Sequence, residues 1–334
     1  MKLANLCGVS AMLLFAFATH RGEAASRGPQ VQRVSGPAYV RLTDWARSRD
    51  FEVRWVKKDE TLELTRQSAR LLFAVDSSEA EVNGVGVRLL FPVAIRDGVP
   101  CLSQLDAQST LGPILSPPRG RRGASVTRIC LDPGHGGKDS GNQVGSHQEK
   151  TYALLLAQEV AAQLTRAGYK VTLTRNSDKF IELPNRPEIA KRRSADLFIS
   201  LHFNSAPNSA SSVRGAEVYC MTPVGAPSTN ARGEGAGAGW YPGNRQNDKN
   251  VYLAYQLQRS VTKNLGAEDR GMHRARFAVL RDATMPAVLI EAGFMSNPSE
   301  GRKIFDAGYR RQIAKAIVDG IGAYRRGTEG NSRG

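Results

Sequence analysis

Groups that can bind or activate a ligand follow three apolar, strand-like runs of this sequence. These runs and the groups after them are residues 129–131 with His135, residues 197–201 with His202, and residues 288–290 with Glu291. A fourth group, Glu149, stands at the start of a predicted helix. Two imidazoles and one carboxylate leave an open position on a tetrahedral zinc ion, and a further carboxylate can serve as general base. The residue types therefore indicate metal-assisted hydrolysis.

Each strand-end group also has a purely structural interpretation. His135 lies among glycines and could belong to a tight exposed turn, although Gly136 and Gly137 also permit a metal or substrate to approach the backbone closely. His202 could be a buried core histidine, and Glu291 could be an ordinary carboxylate at the end of a strand. Taken one at a time, these residues leave the choice open.

Glu149 has the strongest structural alternative. Residues 146–149 fit a capping box, in which Ser146 caps the helix and the Glu149 side chain bonds back to the cap. Two further histidines are rival ligands. His147 lies two residues from Glu149, and His273 lies in a basic segment where we expect it to be solvated.

The elements that must position these groups alternate between strands and helices over residues 126–325. The predicted strands are residues 129–131, 170–175, 196–201, 216–221, 277–280 and 287–290. The predicted helices are residues 151–166, 187–193, 253–265 and 310–324. This alternation predicts an α/β fold, with a mostly parallel twisted sheet flanked by helices on both faces. Such sheets place their sites at the carboxyl ends of strands, where these groups fall.

Residues 38–113 differ from this pattern and predict a small β-rich domain that precedes the α/β domain. Residues 26–37 and 114–125 are rich in polar and turn-forming residues, so we interpret them as linkers, and residues 326–334 as a tail. Residues 222–249 predict a long loop rich in Gly, Asn and Pro. With Trp240 and Tyr241, this loop is a candidate lid, although a solvated insertion explains it equally well.

The first 25 residues predict a secretory signal peptide. A basic start precedes an apolar run at residues 8–19, and small residues follow around a cleavage point near Ala24. The run is well below the roughly 20 apolar residues that a membrane span needs, so we favour cleavage over an anchor. We expect an exported protein, periplasmic or extracellular, with no transmembrane segment after cleavage.

The chain is strongly basic, with 46 Lys and Arg against 31 Asp and Glu, or a net charge of +15. Such a surface attracts polyanions. The basic residues do not form one stripe with interleaved aromatic residues, which argues against nucleic acid. For an exported protein, anionic cell-wall polymers are the partners that fit, and we expect a monomer.

Three cysteines remain after the predicted cleavage, namely Cys101, Cys130 and Cys220. This odd number permits at most one internal disulfide. Cys130 and Cys220 lie in strand-like runs, where cysteine usually acts as a small buried hydrophobe. We therefore predict that Cys130 and Cys220 are buried, and we do not predict a disulfide bridge.

The segments around these groups resemble, in order, the zinc-dependent N-acetylmuramoyl-L-alanine amidases that degrade bacterial cell walls. The resembling segments are residues 131–141 (LDPGHGGKDSG), 149–150, 173–175, Arg186, 195–204 (ADLFISLHFN), 215–219 (GAEVY), 279–281 and 285–297 (MPAVLIEAGFMSN). The resemblance implies that His135, Glu149 and His202 hold one zinc ion and that Glu291 is the catalytic carboxylate. It also implies that the substrate is peptidoglycan, cut at the amide bond between N-acetylmuramic acid and L-alanine.

The sequence departs from the family pattern at few positions. Phe203 stands where the family usually has a small residue, and His147 is unusual so close to a ligand position. Asn204 and Arg281 lie near the expected site and could position substrate. Residues 38–113 have a fainter resemblance to the β-modules named after the amino-terminal part of copper amine oxidase, but they contain no histidine, so we assign them no copper.

Two other functions stay open at this point. A zinc carboxypeptidase or endopeptidase could use the same type of sheet to cut the stem peptide instead. A wall-binding protein with an inactive catalytic domain is the second alternative, although the presence of all four predicted site residues argues against it.

Overall fold

A computed structural model describes residues 37–120, 125–230, 235–236 and 239–329. The predicted signal peptide, residues 1–25, lies outside the described residues, as does the first predicted linker apart from Pro37. Residues 330–334 of the predicted tail also lie outside them. Within the described part of the chain, no helix is both long enough and apolar enough to cross a membrane.

The β-strands are short and distributed along the described chain. They are β1 (Tyr39–Arg41), β2 (Glu52–Lys57), β3 (Thr61–Arg66), β4 (Ala69–Ala74), β5 (Glu79–Val82), β6 (Val85–Arg88), β7 (Ala94–Arg96), β8 (Val99–Ser103), β9 (Arg128–Pro133), β10 (Gln143–Val144), β11 (His147–Gln148), β12 (Lys170–Leu173), β13 (Leu197–Asn204), β14 (Ala216–Met221), β15 (Asp269–Ala275) and β16 (Ala287–Phe294). Eleven of them form one sheet, in the order β12-β9-β13-β16-β14-β15-β6-β5-β4-β3-β2.

The helices follow the predicted alternation in the second part of the chain. They are α1 (Leu42–Arg47), α2 (Gln104–Asp106), α3 (Gly112–Leu115), α4 (Glu149–Arg166), α5 (Asn185–Arg192), α6 (Asn247–Leu265), α7 (Ala278–Arg281), α8 (Pro298–Phe305) and α9 (Ala307–Glu329). A π-helical turn spans Ala107–Leu111, and 3-10 turns span Pro207–Ser209 and Pro242–Gln246.

The half of the large sheet that carries the predicted site residues is mostly parallel. β12, β9, β13 and β16 all run in one direction. β14 runs antiparallel to β16 and parallel to β15. The carboxyl ends of β9, β13 and β16 therefore meet the amino ends of β14 and β15 at one edge of the sheet.

Both faces of this half are covered by helices. Along β9, Ile129 and Leu131 belong to a core that includes apolar residues of α4, α6 and α9. Cys130 lies between them and belongs to a second core with residues of α5 and α7. Side chains alternate between the faces of a strand, so both faces need an apolar cover. The predicted α/β fold is confirmed.

The β-rich amino-terminal segment joins the same sheet. β6 pairs in parallel with β15, where Val87 is the partner of Met272, and β5, β4, β3 and β2 continue the sheet outwards. Tyr255 of α6 donates a hydrogen bond of 3.1 Å to the carbonyl oxygen of Val82. The described residues from Pro37 to Glu329 belong to one compact unit. The functional division between residues 38–113 and 126–325 stays a prediction.

Some local predictions were wrong. Residues 277–280 do not form a strand; the amide nitrogens of Leu280 and Arg281 donate to the carbonyl oxygen of Phe277, which begins helix α7. A short apolar run does not distinguish a buried strand from a buried helical turn. The sequence reasoning also missed β15, and α9 continues to Glu329, into the predicted tail.

The predicted burial of Cys130 and Cys220 is confirmed. Cys101, Cys130 and Cys220 are all buried, and none of them forms a disulfide. Burial raises the pKa of Cys220, since an apolar environment disfavours the thiolate. These residues therefore act as small hydrophobic side chains of the core.

Candidate active site

Side chains from neighbouring strands meet at the edge where β9, β13 and β16 end. His202 of β13 and Glu291 of β16 are direct register partners, and Glu291 also pairs with Glu217 of β14. Register partners point to the same face of a sheet, so these three side chains lie in a row. His135 follows β9 and Glu149 begins α4, which places both beside this row.

Glu149 brings the two predicted histidine ligands together. Its side chain is 1% exposed, and its Oε1 lies 3.0 Å from Nε2 of His135 and 2.9 Å from Nδ1 of His202. Oε2 accepts hydrogen bonds of 2.9 Å from the backbone and side-chain amides of Asn142. One ligand atom from each of His135, Glu149 and His202 can be chosen so that all three lie within 4.8 Å of one another.

The capping-box alternative for Glu149 is wrong. Helix α4 begins at Glu149 itself, with Gln148 as the N-cap residue and no side-chain cap hydrogen bond. The Glu149 carboxylate points to the histidines and accepts a further hydrogen bond of 3.2 Å from the backbone amide of Phe203. Since its oxygens are engaged with these groups, the Glu149 side chain does not cap the helix.

Asp139 fixes the orientation of His135. Its Oδ2 lies 2.9 Å from Nδ1 of His135, and its Oδ1 accepts a hydrogen bond of 3.0 Å from the amide of Gly141. Backbone hydrogen bonds between Asp139 and Gly136 close the turn that carries His135. A carboxylate on one ring nitrogen directs the other nitrogen of a metal-binding histidine towards its metal. Sequence reasoning gave Asp139 no role, although it lies within the resembling segment.

A buried polar network stabilises the loop that carries His135. Asp132 is 0% exposed, and it accepts hydrogen bonds of 2.9 Å from Arg186, 2.6 Å from Thr174 and 2.8 Å from Ser200. Arg186 also donates a hydrogen bond of 2.8 Å to the carbonyl oxygen of His135. Buried charges are tolerated when they are paired and fully hydrogen-bonded, as here. The network therefore fixes the backbone at His135.

The charges of the cluster stabilise each other. Burial alone would raise the pKa of Glu149, but hydrogen bonds from His135 and His202 outweigh burial and hold this pKa well below its usual range. Burial alone would lower the pKa of His135, but Glu149 and Asp139 outweigh it and raise this pKa. The cluster thus contains an ionised carboxylate between two imidazoles.

This donor set fits a zinc ion. Two histidines and one glutamate are a known ligand set of catalytic zinc sites, which keep a fourth position open. Two glycines leave room for these donor side chains. A Cβ at Gly134 would collide with the imidazole of His202, and a Cβ at Gly141 would collide with His135 and Glu149. Only glycine therefore leaves both imidazoles and the carboxylate in place.

Glu291, the predicted catalytic carboxylate, lies beside His202 of this cluster. Its Oε2 is buried and has no hydrogen-bond partner among the described residues. Burial, together with the charges of Glu149 and Glu217, raises the pKa of Glu291 well above its usual range. A buried polar atom without a partner is costly, so its presence needs an explanation such as a catalytic role.

The two rival histidines lie outside the cluster. Nδ1 of His147 lies 2.5 Å from the Tyr152 hydroxyl, and its ring stacks on Phe305 with 3.8 Å between centroids. His273 lies in β15 and is 7% exposed, so the expectation that it is solvated was wrong. Burial lowers the pKa of His273, and its ring packs beside Tyr219.

An α/β sheet with this donor set, and with a neighbouring carboxylate oxygen that has no partner among the described residues, is typical of a metal-dependent hydrolase. The chain belongs to the N-acetylmuramoyl-L-alanine amidase family. The profile of that family matches residues 129–323, which is more than half of the chain. The family resemblance of the sequence is thereby confirmed.

Relatives of the same name match the chain over comparable lengths. The amidase AmiC of Neisseria meningitidis serogroup B is 36% identical over 231 residues, which cover 62% of this chain and 55% of that protein. LytC of Bacillus subtilis is 35% identical over 198 residues, or 59% of this chain and 35% of that protein. AmiA of Escherichia coli is 34% identical over 233 residues, or 63% and 80%. The match thus spans about half of AmiC and about a third of LytC.

Solved structures of amidases share the fold. The N-acetylmuramoyl-L-alanine amidase of Clostridium difficile 630 is 29% identical, with a TM-score of 0.51, and the match covers 63% of this chain and 100% of that one. AmiC2 of Nostoc punctiforme is 35% identical, with a TM-score of 0.50, over 60% and 98%. The α/β part of the chain therefore corresponds to their whole length.

Proposed function

We propose that this chain hydrolyses the amide bond between N-acetylmuramic acid and L-alanine in peptidoglycan. One observation carries the proposal: the unpaired Oε2 of Glu291 lies beside a cluster of two histidines and a buried glutamate. Such a pairing of metal donors and a free carboxylate is what hydrolysis of an amide by a metal-activated water requires. The family to which the chain belongs is named for this bond.

One zinc ion would be held by His135, Glu149 and His202. The atoms that face each other are Nε2 of His135, Oε1 of Glu149 and Nδ1 of His202. When bound, zinc supplies a more acidic water and polarises the substrate carbonyl. The protein supplies the fixed orientation, through Asp139 on the far side of the His135 ring.

Glu291 moves the proton in this mechanism. Its free Oε2 accepts a proton from the attacking water and later delivers it to the leaving amine. The raised pKa of Glu291, caused first by burial and then by Glu149 and Glu217, suits a group that must hold a proton between two steps. General acid–base catalysis of this kind contributes about 10²- to 10⁴-fold to rate.

We place this activity outside the cytoplasm, in the periplasm or the cell wall. The predicted signal peptide supports export, and the net charge of +15 favours adhesion to anionic wall polymers. Residues 38–113, which precede the amidase-like part, would contribute to binding the wall. This assignment of the amino-terminal segment is part of the proposal.

Digestion of purified sacculi, followed by mass spectrometry, tests the proposed bond. An amidase releases intact stem peptides and leaves glycan strands whole. Shortened peptides that remain attached to glycan would instead show a carboxypeptidase or endopeptidase, and binding without release would show an inactive wall-binding protein. A chelator should stop the release, and added zinc should restore it.

A further inference from the structure

Arg270 of β15 lies between the candidate active site and a neighbouring cavity. Its Nε donates a hydrogen bond of 2.5 Å to Oε1 of Glu217, and its guanidinium lies 5.1 Å from the ring centroid of Phe294. Glu217 is 5% exposed, and its Oε2 accepts a hydrogen bond of 2.5 Å from the hydroxyl of Tyr219. The guanidinium is therefore held in place from one side by a buried carboxylate.

The other edge of the Arg270 guanidinium is available to a ligand. Among the described residues, none accepts a hydrogen bond from its two terminal nitrogens, and 32% of the side chain is exposed. A guanidinium presents its donors as a rigid planar fork that matches a carboxylate. Since one edge is fixed by Glu217, the remaining fork is oriented in advance for an anionic group.

A cavity of about 600 Å³ opens beside Arg270. Residues of β15 and the residue before it form part of its wall, and residues of β3 to β6 form most of the rest. The charged residues of this lining are Glu79, Glu81, Arg88, Glu268, Asp269 and Arg270. Ligand pockets in proteins have volumes of about 300–1,000 Å³, so the cavity is large enough for a short peptide. The amino-terminal segment thus supplies much of this cavity.

The distance from Glu291 to Arg270 fits a peptide. Glu291 lies on β16 and Arg270 on β15, and β14 lies between these strands. Neighbouring strands are about 4.8 Å apart, so two strand spacings measure about 10 Å. An extended peptide advances about 3.3–3.6 Å per residue, so this span corresponds to about three residues.

We propose that Arg270 binds a carboxylate of the peptide that leaves the scissile amide, and that the neighbouring cavity receives the rest of that peptide. The proposal deepens the proposed amidase function and rests on it. A peptide fits better than a glycan, because an oriented guanidinium fork selects an anion and sugar hydroxyls carry no charge. Arg270 would then set substrate preference through binding.

A pair of matched substrates tests the proposal on the full chain. One is an N-acetylmuramoyl peptide with free carboxylates, and the other is the same compound with its carboxylates amidated. Arg270→Gln should lower kcat/KM on the free-acid substrate by about 10- to 100-fold, mainly through KM, as expected for the loss of charge-assisted hydrogen bonds. On the amidated substrate the same variant should differ little from the wild type.

Arg214→Gln is the matched control. Arg214 is 61% exposed and pairs at 3.2 Å with Glu268; Glu268 lines the cavity, but Arg214 itself does not. This variant removes the same charge nearby and should keep the wild-type preference for the free acid. If the wild type hydrolyses neither substrate, the amidase function itself fails, which separates that result from a failure of the Arg270 proposal.

Two results would overturn the role of Arg270. One is an equal loss on both substrates by Arg270→Gln, which would show a structural effect through Glu217. The other is unchanged hydrolysis of the free acid. Should the glutamine variant not fold, Arg270→Lys takes its place: it keeps the charge but lacks the fork, so a smaller loss confined to the free acid is expected. A lysine variant with the wild-type preference would equally contradict the proposal.

Discussion

Charged side chains lie both on the face of β2, β3 and β4 that carries Glu63 (the amino-terminal face) and at the sheet edge where β9, β13 and β16 end (the proposed catalytic edge). The partners of these charges differ between the two regions. On the amino-terminal strands, the Glu63 side chain is only 6% exposed, but it is paired with Arg54 and Arg70, whose side chains are 71% and 52% exposed. At the catalytic edge, Glu149 is 1% exposed between two histidines. Glu291 beside it has a buried oxygen without a described partner.

The two regions therefore differ in the partners of their carboxylates. Glu63 is paired with exposed arginines, whereas the carboxylates of the proposed catalytic edge are buried beside histidines or lack a partner on one oxygen. Exposed ion pairs contribute little, since water competes with them and salt screens them. A buried and unpaired carboxylate costs stability and persists where it has a use. Substitutions at the proposed catalytic edge should therefore change activity, and a substitution in the Glu63 ion pairs should not.

The largest expected effect is that of Glu291→Gln. The substitution preserves shape but removes the proton acceptor, so kcat should fall by about 10²- to 10⁴-fold. Zinc binding should remain, because Glu291 is not one of the three proposed zinc ligands His135, Glu149 and His202. Turnover of an N-acetylmuramoyl peptide and metal content by atomic absorption measure the two effects.

His202→Ala is the informative counterpart to this variant. It removes one of the three proposed zinc ligands, so zinc content and turnover should be lost together. A Glu291→Gln enzyme that releases stem peptides at the normal rate would contradict the assignment of Glu291.

A smaller effect is expected at Asp139, which touches the site only through His135. Asp139→Asn weakens the contact of 2.9 Å with Nδ1 of His135 and should reduce zinc affinity by about 10- to 100-fold. Competition with a chromogenic chelator measures this affinity. Asp178→Asn is the control, because Asp178 accepts hydrogen bonds from Gly137 and Lys150 nearby but contacts none of the three proposed zinc ligands. Equal affinities for the two variants would remove Asp139 from the positioning of His135.

Glu217→Gln should change the pH dependence. The negative charge of Glu217 contributes to the raised pKa of Glu291, after burial and Glu149, so its removal should lower that pKa. Glu291 must be ionised to accept a proton, and the acid limb of kcat/KM reports this ionisation. The acid limb should therefore move to lower pH in the variant, when both enzymes carry the same metal. Movement to higher pH would show that Glu217 does not act on Glu291 through its charge.

The sequence predicted the architecture of the catalytic edge because local signals were sufficient there. Apolar runs that end in His202 and Glu291 predicted strands with chemistry at their carboxyl ends, and the register of β13 and β16 places these residues side by side. Local sequence could not decide the role of Glu149, since residues 146–149 fit a capping box and Glu149 is also a candidate metal ligand. The direction of its carboxylate depends on His135, His202 and Phe203, which are distant in sequence.

The sequence could not predict β15 or its position in the sheet. Its residues include Arg270, His273 and Arg274, which resemble a solvated basic segment. Arg274 is 0% exposed, because it donates hydrogen bonds to the carbonyl oxygens of Met221 and Ser109. Partners supplied from far along the chain make burial of these charges possible, and no local periodicity reports them. The cavity beside Arg270 escaped sequence reasoning for the same reason.

The smallest expected effect is on the amino-terminal face itself. Arg54→Gln removes one of the two arginines on Glu63, and Arg70 remains bonded to Glu63 at 2.6 Å. Turnover should not change, and the melting temperature should fall slightly at low salt and less at high salt, because salt screens the lost pair. Thermal unfolding and peptide release at two ionic strengths measure both effects. A loss of turnover in this variant would show that the amino-terminal face also binds substrate, which would extend the functional surface well beyond Arg270.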